Sequence, residues 1–332
     1  MFVMTRGAIR VFTATALFIF TLTPALLSQE TSSLAWRKVK LASGPSTRAS
    51  FASAYDPVSK KVVIFGGYNQ TSTLDETWTF DGTRWEKIPT SNAPSARFSA
   101  TMAYDYHIHK LVLFGGTTGF GAFGDTWIFD GATLQWTQAQ PKNVPAGATN
   151  PILFSDPVDG HVIMFGGYRG RFYSRDTFRW TGTDWALLSP TNSPYPRSSA
   201  IAAYDPIRKN VMLFGGISDN WVIQNTWTWD GSDWTQQNPA HQPPPLYHTG
   251  AAFYPPLREI VVFGGGSEGV DQNTTWAWDG TDWTPLSPAR SPAAREQLGT
   301  VVDPTSRQLL ILGGMDFGSG VFFGDVWKLT GE

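Results

Sequence analysis

The chain has 332 residues, a net charge of −2, 16% charged and 14% aromatic residues, and no cysteine. Without a lysine or arginine run it lacks the electrostatic footprint of a nucleic-acid or polybasic membrane surface. Without cysteine it has neither disulfides nor thiolate chemistry.

Residues 1–28 read as a secretory signal peptide, since Arg6 and Arg10 precede an uncharged apolar stretch from Val11 to Leu27. An uncleaved anchor is the alternative, because about 20 apolar residues can span a bilayer. Residues 29–35 form a short linker, and the expected location is secreted or periplasmic, with no membrane span in the mature chain.

From residue 36 onward one pattern recurs six times: a short apolar run closed by Gly-Gly. The pairs end at Gly67, Gly116, Gly167, Gly216, Gly265 and Gly314. A period near 50 residues built from short strands is one supersecondary unit copied around a ring. In the second copy, strands are predicted over Phe98 to Tyr104, Leu111 to Phe114 and Asp125 to Phe129, with a fourth starting at Trp136. Polar turns separate them. The third-strand aromatic recurs as Trp78, Trp127, Phe178, Trp227, Trp276 and Trp327, and the fourth-strand Trp as Trp85, Trp136, Trp185, Trp234 and Trp283. The sixth copy runs out of chain before its fourth strand. Trp36-Arg37-Lys38-Val39 matches Trp85-Glu86-Lys87-Ile88, so the N-terminal segment is expected to supply that strand and close the ring. Residues 36–332 are then one all-β, six-bladed propeller with four antiparallel strands per blade.

Paired glycines after an apolar strand, a downstream Asp-Thr-Trp and a later Trp resemble the kelch repeat, and the resemblance covers residues 36–332. It implies the kelch propeller fold, which hosts enzymes and binding modules alike. Galactose oxidase, a copper enzyme with such a propeller, depends on a Cys–Tyr crosslink, so that activity does not carry over to a chain without cysteine. No cofactor or metal is expected: His107, His109 and His161 fall in far-face turns, leaving only His241 and His248.

Three groups are candidates for function. Inner strands begin Pro-x-x-X, and the X positions are read as Arg48, Arg97, Ala148, Arg197, Tyr247 and Arg295. Two residues on stand Ser50, Ser99, Asn150, Ser199, Thr249 and Gln297, expected by period two to face the same way. Such a double ring suits a carboxylate, phosphate or sugar; equally, the arginines brace loops by bonding backbone carbonyls. Trp221 is the one tryptophan off the template, in a Gly-Gly loop, and with Tyr168 and Tyr173 it is a candidate ligand-binding aromatic. Finally, His248 and Glu296 start adjacent inner strands, with Glu268 and Asp271 between them, a set suited to acid–base work. The favoured reading is a monomeric recognition module for a glycan, peptide or partner protein. The alternative is an enzyme, an epimerase, mutarotase or lyase acting on an acidic sugar.

Overall fold

The computed structural model describes residues 34–219, 221–303 and 306–331. The proposed signal peptide, and the linker before Leu34, lie outside the described residues. Among those described, no helix is long and apolar enough to cross a membrane. Ser33–Glu332 forms one compact unit.

Six four-stranded antiparallel sheets follow one another, and five are each built from one continuous stretch of chain, in blades four and five with a two-stranded hairpin between the second and third strands. Blade one comprises Ala52–Asp56, Lys61–Phe65, Thr77–Phe80 and Trp85–Ile88. The sixth sheet takes its outer strand from the other end of the chain: Ala35–Lys38 pairs antiparallel with Val326–Thr330, with Trp36 opposite Leu329. The predicted closure is thus present, and it pairs what would otherwise be a free sheet edge.

The second strand of every blade is apolar on both faces because another blade packs against each. In blade one, Val63 and Phe65 join Met102, Leu111 and Phe129 of blade two, whereas Val62 and Ile64 join Leu310 and Leu312 of blade six. The outer-strand tryptophan fastens these interfaces. Its indole N–H donates to the threonine opening the third strand of the preceding blade: Trp136 to Thr77 (2.9 Å), Trp185 to Thr126 (2.8 Å), Trp234 to Thr177 (3.2 Å), Trp283 to Thr226 (2.9 Å) and Trp36 to Thr275 (3.1 Å). Where blade one meets blade six, Val326 stands in the threonine's place, and Trp85 Nε1 is buried without a hydrogen-bond partner among the described residues.

The Gly-Gly pair is a joint between blades. A side chain on the first glycine would collide with a carbonyl oxygen of the next blade, belonging in turn to Arg97, Ala148, Arg197, Leu246, Arg295 and Arg48. The N–H of the second glycine donates to that same oxygen, as Gly67 does to Arg97 (2.9 Å) and Gly216 to Leu246 (2.8 Å). Both glycines also hold positive φ, which a side chain would strain.

Candidate functional site

The joints fix the register of the ring and correct one reading of the sequence. Leu246, not Tyr247, occupies the arginine position of blade five. Three consecutive prolines, Pro243 to Pro245, made the count ambiguous, and the Pro-x-x-X unit starts at Pro243.

The four arginines are buried, each 2% exposed or less, and bound to their own blades. Arg97 Nε donates to Ser95 O (3.1 Å), Nη1 to Gly115 O (3.1 Å), and the fork grips Asp125 at 2.6 and 2.9 Å. Arg48 repeats this with Gly66 O and Glu76, and Arg295 with Gly313 O and Asp325. Burial pushes Asp125 up, but the bonds from Arg97 and Trp127 outweigh it and hold the carboxyl below its ordinary value. In blade four the partner is Asn225, and burial lowers Arg197 to about 9. Blade three has Ala148 in the position. There Arg169, from the Gly-Gly loop, donates to Ala146 O and lies 4.0 Å from Asp176. Blade five replaces both partners, with Leu246 in an apolar cluster and Thr274 at the acid position. The structure therefore places these guanidinium groups inside the blades, where they hold the Gly-Gly turns.

A second ring faces the channel. Ser50, Ser99, Asn150, Ser199, His248 and Gln297 all have positive φ, between 46° and 57°. Each backbone N–H donates to the carbonyl of its neighbour one blade back, at 2.8–3.2 Å, so that six bonds close a circle. Here again His248, not Thr249, is the blade-five member. The left-handed residue breaks strand alternation, which is why the arginine two positions earlier turns into its blade while the ring residue lines the channel.

At blades five and six this ring joins a buried polar network. Tyr68 and Ser50 hydroxyls donate to Gln297 Oε1 at 2.9 and 2.7 Å, and Gln297 Nε2 donates to Glu296 Oε1 at 3.1 Å. Glu296, 3% exposed, presents Oε2 to His248 Nδ1 at 3.6 Å, an ion-pair distance beyond hydrogen-bond length. Neither atom has a hydrogen-bond partner among the described residues. On its far side His248 Nε2 lies 3.4 Å from Asn150 Nδ2. Asp271, in the hairpin above, accepts from Phe317 N–H. Burial, with the charges of Glu296 and Asp316, raises its carboxyl to about 6. The sequence grouping of His248, Glu296 and Asp271 is thus a spatial cluster. Arg295 points away from it, and Tyr247 packs edge-on against His248, ring centroids 5.3 Å apart.

The remaining candidate aromatics sit on hairpins that follow the Gly-Gly pairs. Trp221, 52% exposed, stacks on Tyr195 at 5.3 Å. Tyr168 and Tyr173 pack together at 5.0 Å, and the Tyr168 hydroxyl donates to Gly170 O. Successive hairpins expose Phe120, Phe172, Trp221, Val270 and Phe317. The opposite face exposes Val58, Val158, Ile207 and Leu257 together with Tyr106 and Tyr204.

Six Gly-Gly-jointed blades with a strand exchanged between the termini define a kelch-type β-propeller. The family model described as the KLHDC2/KLHL20/DRC7 Kelch-repeats domain matches residues 21–188 and again 155–331, and the chain belongs to this family. Kelch propellers are commonly protein-interaction modules. Comparison with curated proteins gives no match.

Proposed function

We propose that the protein is a recognition module that docks a segment of a partner polypeptide on its hairpin face. The observation that carries this reading is the crown of exposed apolar side chains, Phe120, Phe172, Trp221, Val270 and Phe317, on the hairpins of blades two to six. Large apolar groups held in water on successive hairpins are costly unless a partner covers them. Aromatic anchors are also the residues that dominate protein interfaces. Blade one breaks the crown with a polar hairpin, Asn69 to Ser72, tied by its own Asn69 turn bonds. That break gives a bound segment a direction across the face. The four inner-strand arginines, turned into the blades, contribute no charge-assisted bonds to this face.

The test is a displayed peptide library panned on the full chain, with affinities of recovered peptides measured by calorimetry. Trp221→Ala and Phe172→Ala are expected to weaken binding at least about ten-fold each, roughly 1.4 kcal/mol. Val158→Ala and Ile207→Ala on the opposite face are expected to leave it within about two-fold. If the two sets exchange behaviour, or if a glycan array yields ligands where the peptide library yields none, the polypeptide reading fails. We also propose export as the setting, supported by Arg6 and Arg10 ahead of the apolar stretch Val11 to Leu27. Mass spectrometry of the protein from its own host is expected to show the N-terminal segment removed.

A further inference from the structure

Inside the apolar crown the channel has different chemistry. Its lining includes the six ring residues with their hydroxyl, amide and imidazole groups, together with Thr101 and Thr300. The cavity measures about 250 Å³. That is below the ~300–1,000 Å³ of pockets for drug-sized ligands, so it suits a molecule of one ring and not a length of chain. Two buried polar atoms belonging to lining residues, Thr101 Oγ1 and Thr300 Oγ1, have no hydrogen-bond partner among the described residues. Buried polar atoms are nearly always bonded, and a water or a ligand hydroxyl entering from the channel can supply the partner these two hydroxyls lack.

Charge narrows the class. The arginines that would have drawn an anion bond to the interior of their blades. The carboxyl group of Glu296 stands behind His248 and opposes a second negative charge. No lining residue is Asp, Glu, Lys or Arg, so a cation would lose water without gaining a direct counter-ion. Hydroxyl groups suit the site on both counts, because each both donates and accepts, as the serine and threonine lining does.

We propose that the channel mouth is a binding site for a small uncharged polyhydroxylated ligand, about one pyranose ring in size. His248 is its principal acceptor. With Nδ1–H directed at Glu296, Nε2 carries the lone pair, and a ligand hydroxyl replaces the Asn150 amide as its donor. Glu296 acts as a positioning residue that fixes the tautomer. The site is separate from the docking face and does not depend on it.

The probes are methyl hexopyranosides and myo-inositol, titrated against the full chain by saturation-transfer NMR, with glucuronate and glucosamine as charged counterparts. His248→Asn keeps a residue type that tolerates left-handed backbone, as Asn150 already does in this ring, while removing the imidazole. Asn150→Ser, a residue found at three other ring positions, is the second variant. Neutral probes are expected to bind, glucuronate more weakly, and His248→Asn to raise the dissociation constant at least about ten-fold. Trp221→Ala is expected to leave probe binding unchanged, which separates failure here from failure of the docking face. The proposal is overturned if no neutral probe binds at tens of millimolar, if a charged probe binds tightest, or if both ring variants retain affinity.

Discussion

Blade four carries a fault that a single atom exchange should repair. In blades one, two and six the residue two before the third-strand tryptophan is an acid that serves two donors at once. Asp125 takes the Arg97 fork and the Trp127 indole N–H at 2.8 Å, and Glu76 and Asp325 do the same for Trp78 and Trp327. Blade four has Asn225 there. Its Oδ1 takes Arg197 Nη1 at 2.8 Å, while Arg197 Nη2 and Trp227 Nε1 are buried without hydrogen-bond partners among the described residues. An unsatisfied buried donor costs about 1–3 kcal/mol, so two of them cost roughly 2–6. A carboxylate must be partly desolvated to recover this, but the equivalent acids keep 14–24% of their side chain exposed. Against a desolvation cost of about 1 kcal/mol, Asn225→Asp is expected to stabilise by about 1–5 kcal/mol. The assay is urea unfolding at neutral pH, read as a shift of midpoint at constant slope. The gain should shrink when Arg197→Met is also present, because the new carboxylate then loses the guanidinium and keeps only the Trp227 indole as a donor. It should also depend on pH with a definite sign. The folded pKa of the new carboxyl is expected to be depressed, as that of Asp125 is, so the gain is full above the unfolded value near 3.9 and fades as pH falls through the folded one. An unchanged or lowered midpoint at neutral pH would refute the reasoning.

The closing interface offers a parallel test. Val326→Thr, nearly isosteric, gives Trp85 Nε1 the acceptor it lacks and should stabilise by about 1 kcal/mol in thermal or urea unfolding, with loss of stability counting against the staple. Arg169 donates to Ala146 O but buries Nε and Nη2 without hydrogen-bond partners among the described residues, so Arg169→Leu should be neutral or stabilising in the same measurement, and a loss of about 1 kcal/mol or more would show that the bond to Ala146 and the charge beside Asp176 dominate. Asp271 tests the polar cluster. Its folded pKa is raised to about 6, so folding favours the protonated form, and stability falls as pH rises from the ordinary carboxyl value through 6. Asp271→Asn should remove that slope; a melting temperature whose pH dependence is the same in both proteins would show that the carboxyl does not feel its neighbours.

Much of the fold was legible because its causes are local and repeated. Gly-Gly recurs since no other residue fits beneath the next blade's carbonyl, and tryptophan recurs since its N–H reaches one fixed threonine. The strand exchange at Trp36 followed from counting a missing landmark. The arginine brace was half legible. The acids Glu76, Asp125 and Asp325 stand in the sequence two residues before the third-strand tryptophans of blades one, two and six, and they accompany an arginine 28 or 30 residues earlier. Where the arginine is lost, the compensation differs, as Arg169 and the Leu246 with Thr274 exchange show. That covariation between blades was the available signal for a structural role.

What the sequence could not convey was a change of hand in the backbone. Alternation by two predicts that Arg97 and Ser99 share a face, and it holds only while φ stays negative. One left-handed residue per blade rotates the chain, sends the guanidinium inward to Asp125 and leaves the serine at the channel. Serine, asparagine, histidine and glutamine at these positions carry no common side-chain signature; the ring of backbone bonds selects the conformation and offsets its strain. The consequence for function is direct. Had alternation held, the channel would present four positive charges and attract anions. With the hand reversed it presents hydroxyls, amides and one histidine backed by a carboxyl group. The departure of a single dihedral angle, repeated six times, decides which chemistry the mouth presents.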